Sequence, residues 1–225
     1  MVEGHRTPGL QAPQNRRGSA AGGFHSVAGL MSSRRFFRLL SRRTPKNAAA
    51  IDRRIEECGM RELSVLMCDS SGFSRKTHDY GVLQFLATMT QCYDRLIPLL
   101  ERRHGICLSH NADNILAIFE HPAQAVRAAL DMHLWLRRHN RGKPDAEQFN
   151  ICIGIHHGPV VRLADNVFGA TVNVAAKVGE DLAGRDQILV TGEVAERLPR
   201  GRCRAGYDRS AEIGGRSFSL FRVEC

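Results

Sequence analysis

Two aspartates in this chain stand where they could do metal chemistry. Asp69 closes the apolar run LSVLMCD (63–69), and a small-residue loop, SSGFS, follows it. Asp113 stands in the short polar step of LSHNADNILAIF (108–119), flanked by Asn111 and Asn114 and set between two runs that each read as a strand. A carboxylate at such a junction keeps its charge close to a buried sheet. Two like charges brought together are costly unless a cation lies between them. Magnesium or manganese suits the pair, because hard cations prefer carboxylate oxygens and complete their shell with phosphate and water. The loop after Asp69 holds Ser70, Ser71, Gly72, Phe73 and Ser74. Its backbone N–H groups are suited to cradle phosphate where the next helix begins. Metal-assisted phosphoryl chemistry is one reading of these residues. Two aspartates that merely cap turns is the other, and residue types alone leave both open.

The elements that must position them follow from hydrophobic periodicity. LSVLMCD is a buried strand. Residues 80–105 have helical spacing, end at Gly105 and contain Pro98, which is expected to kink or split the helix. ICLSH and NILAIF form a hairpin, and residues 122–140 form an amphipathic helix with a proline at its start. RGKPDAEQ reads as a loop. Residues 149–158 read as a strand, 169–184 as a helix with a glycine entry, 187–191 as a short strand, EVAERL as a short helix and 216–223 as a final strand. The order β-α-β-β-α-β-α-β predicts an α+β fold, a ferredoxin-like antiparallel-sheet sandwich. The first strand and the hairpin are then central neighbours, and both aspartates converge at one edge.

Charge is unevenly spread. Residues 1–50 hold eight arginines, one lysine and Glu3, so they carry +8 of the overall +9. The remainder is nearly neutral and need not bind nucleic acid. Residues 1–47 are expected to be a basic disordered segment, 48–62 a lead-in helix and linker, and 63–225 the catalytic domain. Met31 reads as an alternative start, with the first thirty residues an extension. The stretch from Arg34 to Arg43 alternates apolar pairs with arginines and could make weak contact with anionic lipid. A solvated basic tail is the plainer reading. Seven cysteines without a C-x-x-C pair point to buried thiols in a reducing cytoplasm. No apolar run is long enough to span a bilayer.

Residues 63 to about 223 resemble the class III adenylate/guanylate cyclase catalytic domain. The matching pieces are SVLMCDSSGFS, ADNILAIF, CIGIHHGPVV and NVFGATVNVAAKV, in that order. The resemblance implies two divalent cations held by Asp69, Asp113 and the backbone carbonyl of Ser70. It implies a nucleoside triphosphate bound at a head-to-tail homodimer interface, whose 3′-oxygen attacks the α-phosphate while pyrophosphate leaves. The other protomer would supply Asn173 to orient the ribose and Lys177 to stabilise the transition state. These two are four apart and share a helix face.

Some positions depart from the family pattern. Lys177 stands where arginine is usual, which keeps the charge and loses the planar fork. Ser109 and Asn166 stand where a base-selecting lysine and aspartate are expected, with Asp165 adjacent as a substitute. Arg216 falls where a triphosphate-contacting basic residue is expected, or is a surface charge. ATP is the expected substrate and GTP the alternative. The competing readings are a cyclase-like domain that has lost catalysis and regulates, and a basic-tailed nucleic-acid binder that only the tail supports.

Overall fold

A computed structural model of the chain describes residues 24–111, 113–199 and 204–224. The site is organised around β1 (Met60–Ser70), an interior strand of one mixed sheet. β1 pairs antiparallel with β3 (Asn114–Phe119) on one side and β4 (Ile151–Arg162) on the other. β2 (Ile106–Asn111) adds to β3 as the expected hairpin. Beyond β4 come β6 (Ile188–Thr191), β8 (Arg216–Glu224) and β7 (Arg204–Ile213), and the short β5 (Val167–Phe168) pairs with β4. Only β4–β6 is parallel among these pairs.

Alternation along β1 splits its residues between two faces. Leu66 and Cys68 face the large core with Ile115, Phe119, Ile153 and Ile155. That face is covered by α4 (Val82–Arg102) and α5 (Pro122–Asn140). Val65 and Met67 face the other side, under α6 (Ala170–Ala176). The α+β expectation holds, and Pro98 lies inside a continuous α4. Between β1 and α4 a separate α3 (Phe73–Tyr80) is set off by Gly81 at φ +86°. α4 ends at Arg102, and His104, not Gly105, takes the left-handed conformation there, at φ +62°. Gly105 is required for space instead: a Cβ there would lie 2.5 Å from the Phe119 ring.

Several expectations are corrected. The lead-in helix, α2 (Ala48–Gly59), passes directly into β1 at Met60 rather than at 63. The 143–148 loop contains a 3-10 turn, Asp145–Glu147. The helix expected over 169–184 is α6 followed by a π segment, Lys177–Leu182. β7 is a strand that the sequence does not announce, because its side chains are mostly exposed and show no apolar alternation. It is held by pairing with β8 across the Gly214–Gly215 turn, where both residues have positive φ.

The largest correction is at the N-terminus. Residues 1–23 lie outside the described residues. Within the segment expected to be disordered, α1 (Ser33–Leu40) forms, with the Ser32 hydroxyl accepting from the N–H of Arg35. Met31 and Phe36 are buried with Ile55 and Leu163, and the Phe36 ring stacks on Phe168 at 5.6 Å. Phe36 therefore faces the protein, with Leu39 and Leu40 partly buried beside it, while Phe37 stays 51 % exposed. Among the described residues no helix is long and apolar enough to cross a membrane.

Candidate active site

Strand register brings the two aspartates together. Asp69 lies opposite Asn114 on one side and Cys152 on the other. The N–H of Ser70 donates to the carbonyl of Asp113 at 2.8 Å, tying the hairpin junction to the end of β1. The Ser71 N–H donates to Asn150 at 2.9 Å and fixes the next step of the chain. Asp69 is half-buried. Burial first, then the charges of Asp113 and Glu180, push its carboxyl up to about 7. Glu180 is itself raised by burial, Asp181 and Asp113. The hydroxyl of Ser70 is buried without a hydrogen-bond partner.

These residues fit divalent cations. Among the described residues no group of three or more His, Cys, Asp or Glu side chains is gathered as a complete metal site. A pair of carboxylates with repulsive charge and few protein donors suits a hard cation whose remaining ligands are water and substrate phosphate.

Gly72 holds φ +85° with nothing near its absent Cβ, so backbone conformation is what requires glycine there. α3 then starts at Phe73, whose ring packs on Phe85 at 4.9 Å, while Ser74 is exposed. Lys76 is a residue the sequence reading missed. Its side chain is 3 % exposed, and its ammonium donates to the carbonyls of Asp145, at 2.6 Å, and Gln148. It anchors α3, and with it the loop after Asp69, to the 143–148 loop. No local pattern announces a buried lysine whose acceptors lie 69 and 72 residues away.

Asn173 and Lys177 are both exposed, on α6 and at the first residue of the π segment. Lys177 Nζ lies 2.7 Å from Asp181, a partner the sequence reading did not single out. The π segment seats directly on the sheet. A Cβ on Gly154 would lie 2.2 Å from the Gly179 nitrogen, and one on Gly179 would lie 2.7 Å from the Met67 carbonyl. Only two glycines permit so close an approach, two residues along β1 from Asp69.

The remaining candidates lie elsewhere. Ser109 is half-buried on β2, opposite Leu116 and beyond a bulge after Cys107. Asn166 lies in the β4–β5 turn, and its Oδ1 accepts from the Val167 N–H at 2.8 Å. Asp165, beside it, accepts from both the N–H and the hydroxyl of Ser33 on Oδ1, each at 2.8 Å, which commits one of its two oxygens to the N-terminal segment. Ala164 donates to the Met31 carbonyl at 2.9 Å, completing a clip between the N-terminal segment and this turn. Arg216 opens β8 at the end of the sheet away from Asp69. The row of Asp69 and Cys152 continues through β6 to the Glu224 end of β8, because Ile153 faces Ile188 and Leu189 faces Arg222. The separation is roughly 26 Å along the strand, so Arg216 and Asp69 of one protomer are not brought together.

The structure thus holds two aspartates at one end of a sheet, a glycine-bearing loop after the first, and a helix bearing an exposed asparagine and lysine. The family described as the adenylate and guanylate cyclase catalytic domain matches residues 59–218, and the chain belongs to it. The chain is 29 % identical over 170 residues to the serine/threonine-protein kinase pkn2 of Myxococcus xanthus, covering 72 % of this chain and 20 % of that protein. It is 24 % identical over 141 residues to putative adenylate cyclase 3 of Rhizobium meliloti (strain 1021), covering 63 % and 24 % respectively. The chain thus spans a quarter or less of the length of these curated relatives. Among solved structures, that of the guanylyl cyclase Cya2 superposes with a TM-score of 0.65 at 21 % identity, covering 73 % of this chain and 93 % of that one. This last likeness is one of fold.

Proposed function

We propose that the protein is a nucleotide cyclase that converts ATP, or alternatively GTP, to the 3′,5′-cyclic monophosphate and pyrophosphate, acting in intracellular signalling in the cytoplasm. The observation that carries this reading is the convergence of Asp69 and Asp113 at one sheet end, with the Asp69 carboxyl raised to about 7. Asp69, Asp113 and the Ser70 carbonyl would hold two magnesium or manganese ions. When bound, these cations offset triphosphate charge and acidify the ribose 3′-hydroxyl. The loop from Ser71 to Ser74 would receive phosphate oxygens on its backbone N–H groups. Asn173 would orient the ribose, and Lys177 would meet the charge that builds on the α-phosphate.

The reading requires a head-to-tail homodimer. Arg216 and Asn166 lie toward the end of the sheet away from Asp69. They join one substrate only if a second protomer presents its far end to the first protomer's aspartates. At Asn166 the amide oxygen is engaged by Val167, which leaves the NH₂ to donate. A donor there meets ring-nitrogen acceptors on either purine and O6 on guanine, so Asn166 does not choose between ATP and GTP. A regulatory, non-catalytic role is favoured by one observation: Lys177 already pairs with Asp181.

The experiment is product analysis on the full chain with manganese and either ATP or GTP, beside Asp113→Ala. A cyclic monophosphate and pyrophosphate from the wild type alone are expected. A folded, dimeric wild type that makes neither product favours the regulatory reading. Mixing inactive Asp69→Ala and Asn173→Ala proteins should restore activity, since one composite site of the mixed dimer keeps every group. Failure of that mixture, with mixed dimers demonstrated, would rule out the shared site.

A further inference from the structure

We propose that α1 carries a binding site for a multiply charged phosphate group, formed by Arg34, Arg35, Arg38 and Arg42. With Ser32 and Leu39 these four arginines line one hollow of about 490 Å³. The chain has no Asp or Glu from residue 24 to residue 51. Among the described residues none of the four makes a salt bridge. The nearest acid in sequence, Asp52, pairs with Arg43 at 2.7 Å, and Asp165 accepts from Ser33 and not from any of the four. Arg34 and Arg38 are four apart, as are Arg38 and Arg42, so like charges stack along one stripe. Such a stripe opposes the helix unless an anion lies among its members.

The helix forms because its other side is secured. Phe36 is buried against Phe168, and Met31 against Leu163. The arginines are therefore presented from a docked helix rather than from a loose tail, and less ordering is left for a ligand to impose. Guanidinium groups offer paired N–H donors that match phosphate oxygens. Three of them on two turns of α1, with Arg42 just past its end and lining the same hollow, match a compact group of two or more charges. A nucleic-acid strand, whose charge repeats far beyond that length, is the poorer match. A phosphorylated lipid headgroup and a free polyphosphate share the required chemistry. The site is separate from Asp69 and Asp113, and it stands whether or not the chain cyclises nucleotides.

The test uses the full chain in chelator, so that divalent cations cannot recruit phosphate to the aspartates. Inorganic tripolyphosphate is titrated by calorimetry, and phosphatidylcholine vesicles with and without a phosphoinositide are co-sedimented. The variants are Arg34→Ser/Arg38→Ser and, outside the hollow, Arg53→Ser/Arg54→Ser with the same loss of charge. The first variant is expected to weaken binding about 10-fold or more, and the second to leave it near the wild type. Binding of free tripolyphosphate assigns a soluble anion, and binding of phosphoinositide vesicles alone assigns a lipid. The proposal is overturned if neither probe binds, if both variants weaken binding equally, or if a short single-stranded oligonucleotide binds more tightly than either probe.

Discussion

The two groups of candidate residues are held by opposite means. Asp69 and Asp113 are set by strand register, half-buried and facing further carboxylates. Asn173 and Lys177 ride exposed on a helix that changes from α to π between them, and Lys177 already has a counter-ion. The strand half carries charge that a ligand must relieve, while the helix half must give up a contact before it can act on a ligand. A site divided in this way responds differently to damage on its two sides.

The largest effect is expected at Asp69. Asp69→Asn should lower cyclase activity by at least about 10²-fold, measured as product formed with manganese. The same change should stabilise the metal-free protein. The Asp69 carboxyl is pushed up to about 7 in the fold, from its ordinary value of 3.8. The fold therefore binds this proton more tightly than the unfolded chain, and stability is lost as pH rises from about 4 to about 7. Discounted for partial exposure, the penalty at pH 8 is about 1–2 kcal/mol. Thermal unfolding in chelator should show the variant the more stable at pH 8 and equal to wild type near pH 4. Manganese should raise the melting temperature of the wild type only.

Next comes the contact between the halves. Gly154→Ala would push a methyl group into the backbone of Gly179. A loss of about 1–3 kcal/mol is expected from overpacking, read by denaturant unfolding. A value near zero would show that the π segment does not bear on the sheet. Phe36→Ala should cost about 1.5–3 kcal/mol of apolar burial. The damage should be local, with hydrogen exchange accelerated in α1 and in residues 163–168 but unchanged in β1. The smallest effect is expected at Asp181→Asn. An exposed ion pair four residues apart contributes less than about 0.5 kcal/mol, so stability should hold while turnover rises as Lys177 is freed. A fall in turnover would show that Asp181 aims the lysine instead of restraining it.

The strand half was legible in the sequence because apolar alternation is strongest in those segments. The run ending at Asp69 and the hairpin around Asp113 specify their own pairing, and their convergence follows from adjacency in the sheet. The helix half was legible only as a spacing. The π segment depends on Gly154 and Gly179 meeting across the sheet, and a single-strand pattern holds no trace of that. The N-terminal clip was misread for the same reason. A stretch of arginine, serine and glycine resembles disordered chain until Leu163 and Phe168 supply something for Met31 and Phe36 to bury against. β7, with its mostly exposed side chains, depends on its neighbour β8 in the same way.

The clip also has a consequence in time. Ser33 and Asp165 are 132 residues apart. At synthesis rates of about 5–20 residues per second, about 7–26 s pass between their appearance. During that interval Phe36 and Met31 have been made and can meet only the α2 side of their cluster, Ile51 and Ile55, without Leu163 and Phe168, while the arginines around them keep the segment in water. The first described part of the chain to be made is thus among the last to settle, and it waits for the turn that carries Asn166.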